Sequence, residues 1–536
     1  MKFDFEIKLT QTQLIIISSL FFVLFDNFVF FKKSYEAFGN VFFMFGLAGL
    51  LFVVISTLLI IISNRFIIKH FLIVLFLVSS VAAYYMQVYG TIINDKMIQN
   101  VFETDSKEVY DLLSVKLFMF LFFLGVVPSF FVYKVKIVKN SIKKELISRL
   151  KLLVFNIAIV PILYLLFSKY WVSFFRSHKT LRMYTNPTYY IYSLGKFVKE
   201  KYFTKPMKFK HIGLDARVEE RGKPKLVIFV LGEAARYDHF SLNGYSRDTN
   251  KNLEKIKDLI NFPDVHSCGT ETAVSVPCMF SPYNRSEYSD KKAKNTDSVI
   301  DVINRAGVNV LWRENNSDSK GVASRIKNYE DFTHAHIKPY CNDFECHDEV
   351  LLYNLQKWVD EHNNSKPIFI VLHQKGSHGP AYYKRYPKKY EKYKPVCKSN
   401  QLQECKREEV INGYDNTIVY TDHFLSEVIK FLKNNEKNYR VAMYYMADHG
   451  ESLGENGIYL HGLPFFIAPD VQKHPASVAW FGKNFDVNIS CVEKISKNAY
   501  TQDNLFSTLL GLMDIKTKVY NPKMDIFYKC KIKMKN

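Results

Sequence analysis

Glu233, Asp448 and His449 have the side chains and the positions to grip a metal ion. Glu233 follows the apolar run Leu226–Leu231 and Gly232, and Asp448-His449-Gly450-Glu451 follows the apolar run Val441–Met446. Two carboxylates and one imidazole at strand ends suit zinc, which in an enzyme keeps a fourth position for a reacting group. Each residue alone is weak evidence, because an acid after a strand also serves as a helix cap. The segment Ser267–Cys278 offers hydroxyls for the fourth position at Thr270, Thr272 and Ser275. A hydroxyl at a helix start lies among backbone N–H groups that attract phosphate oxygens. Metal coordination would favour its alkoxide and make it a nucleophile near neutral pH. Residue type does not separate the three, and ordinary cap or loop hydroxyls are the plain alternative.

His378 stands in Gly-Ser-His-Gly-Pro and His461 in Tyr-Leu-His-Gly-Leu-Pro. A histidine flanked by glycine is poor core filler. Such a residue can bind phosphoryl oxygens, hold a second metal or give a proton to a leaving group. Asn316 and Lys320, in Asn-Asn-Ser-Asp-Ser-Lys, add donors for phosphate charge, against the simpler reading of a solvated loop.

These residues need a scaffold. Leu226–Leu231, Pro367–Leu372 and Val441–Met446 are short continuous apolar runs, with helical stretches at Glu349–Glu361 and Asn416–Leu432. That alternation predicts buried parallel strands in an α/β domain with a mostly parallel sheet. Polar residues just past each strand then gather at one sheet edge, where open α/β sheets place their sites.

The rest of the chain is of another kind. Its 536 residues carry a formal charge of +20, and the apolar residues crowd into roughly the first third. Five stretches are apolar enough to cross a bilayer, near Gln13–Phe31, Phe42–Ser63, Phe71–Val88, Leu117–Tyr133 and Leu150–Phe167. Lys134, Lys136, Lys139, Lys143, Lys144, Arg149 and Lys151 place the fourth-to-fifth loop in the cytoplasm. The N-terminus is then cytoplasmic, and everything after residue 167 lies outside. Residues 168–215 mix aromatics with cations and predict interfacial linker helices, leaving 216–536 as the outer domain. The positive charge lies beside apolar spans and no nucleic-acid-binding signature is present, so a membrane rather than a nucleic acid is the expected partner. All eight cysteines follow residue 260, six of them in close pairs: Cys268 and Cys278, Cys341 and Cys346, Cys397 and Cys405. The spacings fit zinc fingers poorly and local disulfides in an oxidising compartment well. Cys491 and Cys530 stay unassigned.

At this point longer motifs carry a resemblance. Cys268–Ser281 (Cys-Gly-Thr-Glu-Thr-Ala-Val-Ser-Val-Pro-Cys-Met-Phe-Ser) is similar to the nucleophile segment of the bacterial phosphoethanolamine transferases. This group includes the enzymes that confer polymyxin resistance by modifying lipid A. Asp448–Pro464, Gly232–Arg236, Asn315–Gly321 and Gly-Ser-His-Gly-Pro resemble the same family, and the likeness covers nearly the whole chain. It implies five spans in the bacterial inner membrane and a periplasmic domain of the alkaline phosphatase/sulfatase kind. It implies that Glu233, Thr272, Asp448 and His449 hold zinc, one ion tightly and a second as an option, with Thr272 the nucleophile. His378 and His461 would hold the phosphoryl group or the second zinc, and Asn316 and Lys320 would contact phosphate. The three cysteine pairs match the family's disulfides. Asn100, Thr104 and Glu108, in the outer loop after the third span, would help admit the lipid. Glu271 departs from the family's serine, which puts acceptor preference rather than the metal site in doubt. The implied donor is phosphatidylethanolamine, the acceptor lipid A or another envelope molecule, and the enzyme a monomer. Rival readings are a hydrolase of the same superfamily, a glycerophosphate polymerase, and a membrane sensor without catalysis. Thr272 does not match the C/S-x-P-x-R pattern of sulfatases.

Overall fold

The computed structural model describes all residues except 1–6, 63, 104–108, 110–111, 177, 179, 204–206, 220–221, 343–344, 364 and 533–536. The chain forms two compact units, one from residues 1–103 and 113–204, the other built on 205–536.

In the first unit, Val41–Ile62, Ile68–Tyr89, Val115–Lys134 and Ile142–Leu166 are long and apolar enough to cross a membrane. The expected first span is not one straight helix. Gln11–Phe25 and Phe28–Phe38 meet at a bend of 57°. Asn27 sits at the bend: its Nδ2 donates to the carbonyls of Phe22 (2.8 Å) and Asn186 (2.6 Å), and its Oδ1 accepts from Asn186 N. Phe22 O keeps its helical bond from Asp26 N at 3.2 Å, and the Asn27 side chain ties the bend to Asn186. The bent pair counted as one span makes five. One buried amide inside the unit bridges two helices: Asn156 Nδ2 donates to Ser56 Oγ and Thr57 Oγ1 at 2.9 and 3.0 Å. Phe42, Phe45 and Leu165 are exposed, as lipid-facing residues would be. Within 168–215 lie helices Ser168–Arg176 and Thr188–Val198.

The second unit is organised by a seven-stranded sheet. In chain order the strands are β1 (Lys225–Gly232), β2 (Leu259–Asn261), β3 (Asn309–Glu314), β4 (Asn328–Asp331), β5 (Ile368–His373), β6 (Arg440–Ala447) and β7 (Ser477–Phe481). They lie in the order β2-β7-β6-β1-β5-β3-β4. The strands β6, β1, β5, β3 and β4 are parallel, while β7 and β2 add antiparallel pairs at one edge. The apolar runs are continuous because both faces are covered. Val227, Phe229 and Leu231 enter one core, and Leu226, Ile228 and Val230 the other. The expected helix Asn416–Leu432 lies inside a longer one, Arg407–Asn435. The expected helix Glu349–Glu361 is broken into a 3-10 turn, Asp348–Leu352, and a short helix, Leu355–Glu361, with left-handed Asn354 between them.

All eight cysteines are paired, in the three bridges Cys268–Cys278, Cys341–Cys346 and Cys397–Cys405 and in Cys491–Cys530. At the far end of β1, buried Lys225 Nζ meets Asp486 (2.9 Å) and Asp514 (2.7 Å), and Arg440 also faces both acids. Removing Lys225 leaves two buried carboxylates to share Arg440, so buried negative charge is undercompensated. Lys225→Ala is therefore expected to cost about 3–5 kcal/mol in unfolding experiments on the detergent-solubilised protein. A loss below about 1 kcal/mol, the range of an exposed pair, would contradict this reading.

Candidate active site

Register brings the site together. Gly232 pairs with Ala447 across β1 and β6, so the next residues, Glu233 and Asp448, leave the sheet side by side. Leu231 pairs with His373 across β1 and β5, and His373 with Glu314 across β5 and β3. The C-terminal edge of the parallel strands therefore presents Glu233, Asp448, His449, His373 and Glu314 in adjacent columns, as open α/β sheets do. Gly450 lets the chain turn here: a Cβ at this position would collide with the Val471 carbonyl oxygen. Gly376 has φ +51° and packs against the Glu233 backbone, which seats the loop carrying His378.

Glu233, Asp448 and His449 are fully buried. His449 Nδ1 lies 2.8 Å from the Gly450 carbonyl and must donate to it, which leaves the Nε2 lone pair facing the carboxylates. That nitrogen lies 3.5 Å from Glu233 Oε1 and 3.3 Å from Asp448 Oδ2. Neither oxygen has a hydrogen-bond partner among the described residues. Three electron-rich atoms that face one another in a dry site repel unless a cation lies between them. The electrostatics agree. Burial and then Asp448 push the Glu233 carboxyl up, burial lifts Asp448 to about 6, and burial with His461 lowers His449 to about 4. The donor set fits a zinc-class ion.

Thr272 opens the helix Thr272–Met279, which the Cys268–Cys278 bridge spans. Its Oγ1 donates to Glu233 Oε2 at 3.0 Å and lies 3.5 Å from His449 Nε2. The other two hydroxyls are engaged elsewhere or turned inward. Thr270 Oγ1 donates to the Leu463 carbonyl at 2.6 Å, and Ser275 is wholly buried within the same helix. Of the three, Thr272 is the one aimed at the carboxylates.

His378 and His461 lie on the same side of the site, their ring centres 5.9 Å apart, and His461 is 4.3 Å from His449. Glu233, His378 and His461 each bring a donor atom to within 4.8 Å of the others. Burial opposes charge on His461, yet Glu451 at 2.6 Å from Nδ1 raises it to about 9, so it is a cation at neutral pH. Burial, then Lys375, holds His378 well below the ordinary range. Asn316 Nδ2 donates to Glu233 Oε2 at 2.6 Å, so it contacts the carboxylate itself. Lys320 sits at φ +50° and pairs with Asp318 at 3.5 Å. Asn100 lies in helix Asp95–Glu103 of the first unit; Thr104 and Glu108 lie outside the described residues.

Several supports carried no signal in the sequence. Glu314 Oε2 accepts from His373 Nδ1 (2.8 Å) and Trp312 Nε1 (3.0 Å), and Asn316 Nδ2 lies 3.3 Å from His373 Nε2. Asp348 takes the Lys375 and Gly376 N–H groups at 2.8 and 3.0 Å and thereby fixes the His378 loop. Gln502 Oε1 accepts from Cys268 N at 2.7 Å, while its Nε2 donates to the carbonyls of Ala447 and Asp448 at 3.0 and 2.7 Å. One amide thus ties the segment leading to Thr272 to the strand that carries Asp448. Gln502→Ala strands these buried groups at about 1–3 kcal/mol each. The expected result is a lower unfolding temperature together with reduced turnover. Turnover and melting equal to wild type would show that the tie is idle.

Fold and site define a hydrolase-like α/β domain of the alkaline phosphatase/sulfatase superfamily, and the Sulfatase family model matches residues 225–515. A second family model, "Phosphoethanolamine transferase EptA/EptB", matches residues 51–202. The chain is 40% identical over 503 residues to phosphatidylethanolamine transferase Mcr-1 of Escherichia coli, covering 91% of this chain and 92% of that protein. It is 36% identical over 526 residues to phosphoethanolamine transferase EptA of Escherichia coli strain K12, covering 94% of each. The solved integral membrane lipooligosaccharide phosphoethanolamine transferase A from Neisseria meningitidis superposes with a TM-score of 0.94 at 32% identity, over 98% of this chain and all of that one. The chain belongs to the phosphoethanolamine transferase family, as its motifs led us to expect, and is an enzyme of that class.

Proposed function

We propose that this protein moves phosphoethanolamine from phosphatidylethanolamine to lipid A phosphate in two displacements at Thr272. The observation that carries the reading is the Thr272 hydroxyl, 3.0 Å from a buried carboxylate whose other oxygen has no hydrogen-bond partner among the described residues. Glu233, Asp448, His449 and Thr272 would hold zinc, which supplies charge compensation for the threonine oxygen and the phosphoryl group. The rest is work for the chain's own residues. The Thr272 proton leaves toward Glu233 Oε2, where it already points. Oγ1 bonds to phosphorus, the bond to the diacylglycerol oxygen breaks, and that oxygen takes a proton from cationic His461. His461 and Lys320 offset the phosphoryl charge, neutral His378 can give it an N–H, and Asn316 keeps Glu233 in place. In the second displacement neutral His461 takes the proton of an acceptor phosphate hydroxyl as that oxygen attacks phosphorus, the Thr272 oxygen leaves, and its proton returns from Glu233. Ping-pong kinetics follow from this order.

The membrane unit retains the donor's acyl chains while the headgroup reacts. In this reading residues 1–167 are the membrane domain with a cytoplasmic N-terminus, 168–215 lie in the headgroup layer, and 216–536 are periplasmic. Basic residues between 134 and 151 and four disulfides support that orientation. Cells expressing the chain with headgroup-labelled phosphatidylethanolamine are expected to carry the label on lipid A, read by mass spectrometry. Expression with full incorporation into the membrane and no labelled lipid A would overturn the acceptor assignment.

A further inference from the structure

Among the described residues, one histidine–carboxylate cluster lies apart from the site above. Asp264, His266 and His474 each present a donor atom within 4.8 Å of the others. His266 Nε2 is 3.1 Å from Asp264 Oδ1, and His474 Nε2 is 3.9 Å from the same oxygen. His474 Nε2 also lies 2.9 Å from the Pro263 carbonyl. Two imidazoles, a carboxylate and a backbone carbonyl therefore converge on one volume.

We propose that Asp264, His266 and His474, with the Pro263 carbonyl beside them, form a second divalent-metal site that takes a zinc-class ion independently of Glu233, Asp448 and His449. The donor set is the first reason. Imidazole nitrogen with carboxylate and carbonyl oxygen suits zinc, copper or nickel rather than magnesium or calcium, which favour oxygen alone. The second reason lies behind His474. Its Nδ1 faces Asp470 Oδ2 at 3.6 Å, so a proton on Nδ1 is favoured once Nε2 gives its lone pair to a cation. A carboxylate behind the far nitrogen is the arrangement that orients metal-bound histidines and raises their basicity. The third reason is fixation. The Tyr237 ring stacks on His474 with centres 3.5 Å apart, and the His266 ring also packs against His474, with centres 4.6 Å apart. The ligands are thus largely ordered before an ion arrives. Burial and nearby His266 also hold His474 below the ordinary range, which keeps it neutral.

Without an ion, two N–H groups bond to the Asp264 and Pro263 oxygens. Binding at Nε2 moves the proton of neutral His474 to Nδ1, where Asp470 faces it. Asp264 and His266 are 43% and 39% exposed, so an ion can reach the site from solvent. Ser267 N donates to the Lys473 carbonyl at 2.8 Å, beside both histidines. An ion here would clamp the segment that runs on to Thr272 against the 470–474 turn.

The test uses the full-length protein in detergent, equilibrated with micromolar Zn(II) and then passed through a desalting column. Wild type is expected to retain one more zinc per chain by elemental analysis than either Asp264→Asn or His266→Gln, both of which change half-exposed side chains. Equal zinc contents in variants with wild-type circular dichroism would overturn the proposal. Crystals of the wild-type protein soaked in Zn(II) give a reading independent of any variant. An anomalous peak at the zinc edge between His266 and His474 is expected, and its absence beside an occupied catalytic site would refute the second site.

Discussion

Thr272→Ala should abolish transfer while leaving the fold and the metal in place. The substitution removes the oxygen that forms the new bond to phosphorus, and neither Thr270 nor Ser275 can replace it. Thr270 Oγ1 is committed to the Leu463 carbonyl, and Ser275 is sealed inside the helix. Loss of a nucleophile costs about 10³- to 10⁶-fold in turnover where the remaining site still binds and polarises substrate. Thr272→Ser keeps the oxygen but frees its rotation, so it should retain part of the activity. Labelled lipid A in cells and release of diacylglycerol in detergent would report both. If Thr272→Ala kept even a tenth of wild-type turnover with normal membrane incorporation, another group would have to be the nucleophile.

The second large effect concerns Glu233 and Asp448. Two buried carboxylates with unpartnered oxygens and a facing imidazole lone pair make an arrangement that is costly when empty. Glu233→Gln and Asp448→Asn should each lose the metal and turnover by about 10²-fold or more, since charge stabilisation of that size is what such groups supply. The same substitutions should make the metal-free protein more stable than metal-free wild type, because they remove uncompensated charge. Zinc at this site should then stabilise wild type by about 2.7 kcal/mol at a hundredfold excess over its dissociation constant, raising its unfolding temperature, and the variants should lack that gain. Elemental analysis and thermal unfolding after chelation would check this. Variants that hold zinc as tightly as wild type would remove these residues from the ligand set.

What could be read in advance, and what could not, has a physical pattern. Strands β1, β5 and β6 announce themselves because a strand covered on both faces must be apolar throughout, and their ends could be placed to within about two residues. Glu233 and Asp448-His449 were legible only together: each alone could cap a helix, but two carboxylates and an imidazole at strand ends suit one ion. The choice among Thr270, Thr272 and Ser275 was not legible from residue type: it depends on which hydroxyl faces the sheet edge, a property of helix phase and of the Leu463 contact. Gln502 was invisible because one glutamine distant in sequence has no periodicity or motif to mark it. The bend at Asn27 was missed because the residue that ties it, Asn186, lies 159 residues away. Cys491 and Cys530 could not be joined by spacing, since 39 residues separate them.

The most direct measurement is peptide mapping by mass spectrometry of the wild-type enzyme after incubation with phosphatidylethanolamine and no acceptor. A phosphoethanolamine group on the Thr272 Oγ, discharged when lipid A is added, is the predicted result. An unmodified Thr272 in enzyme that has released diacylglycerol would contradict the account.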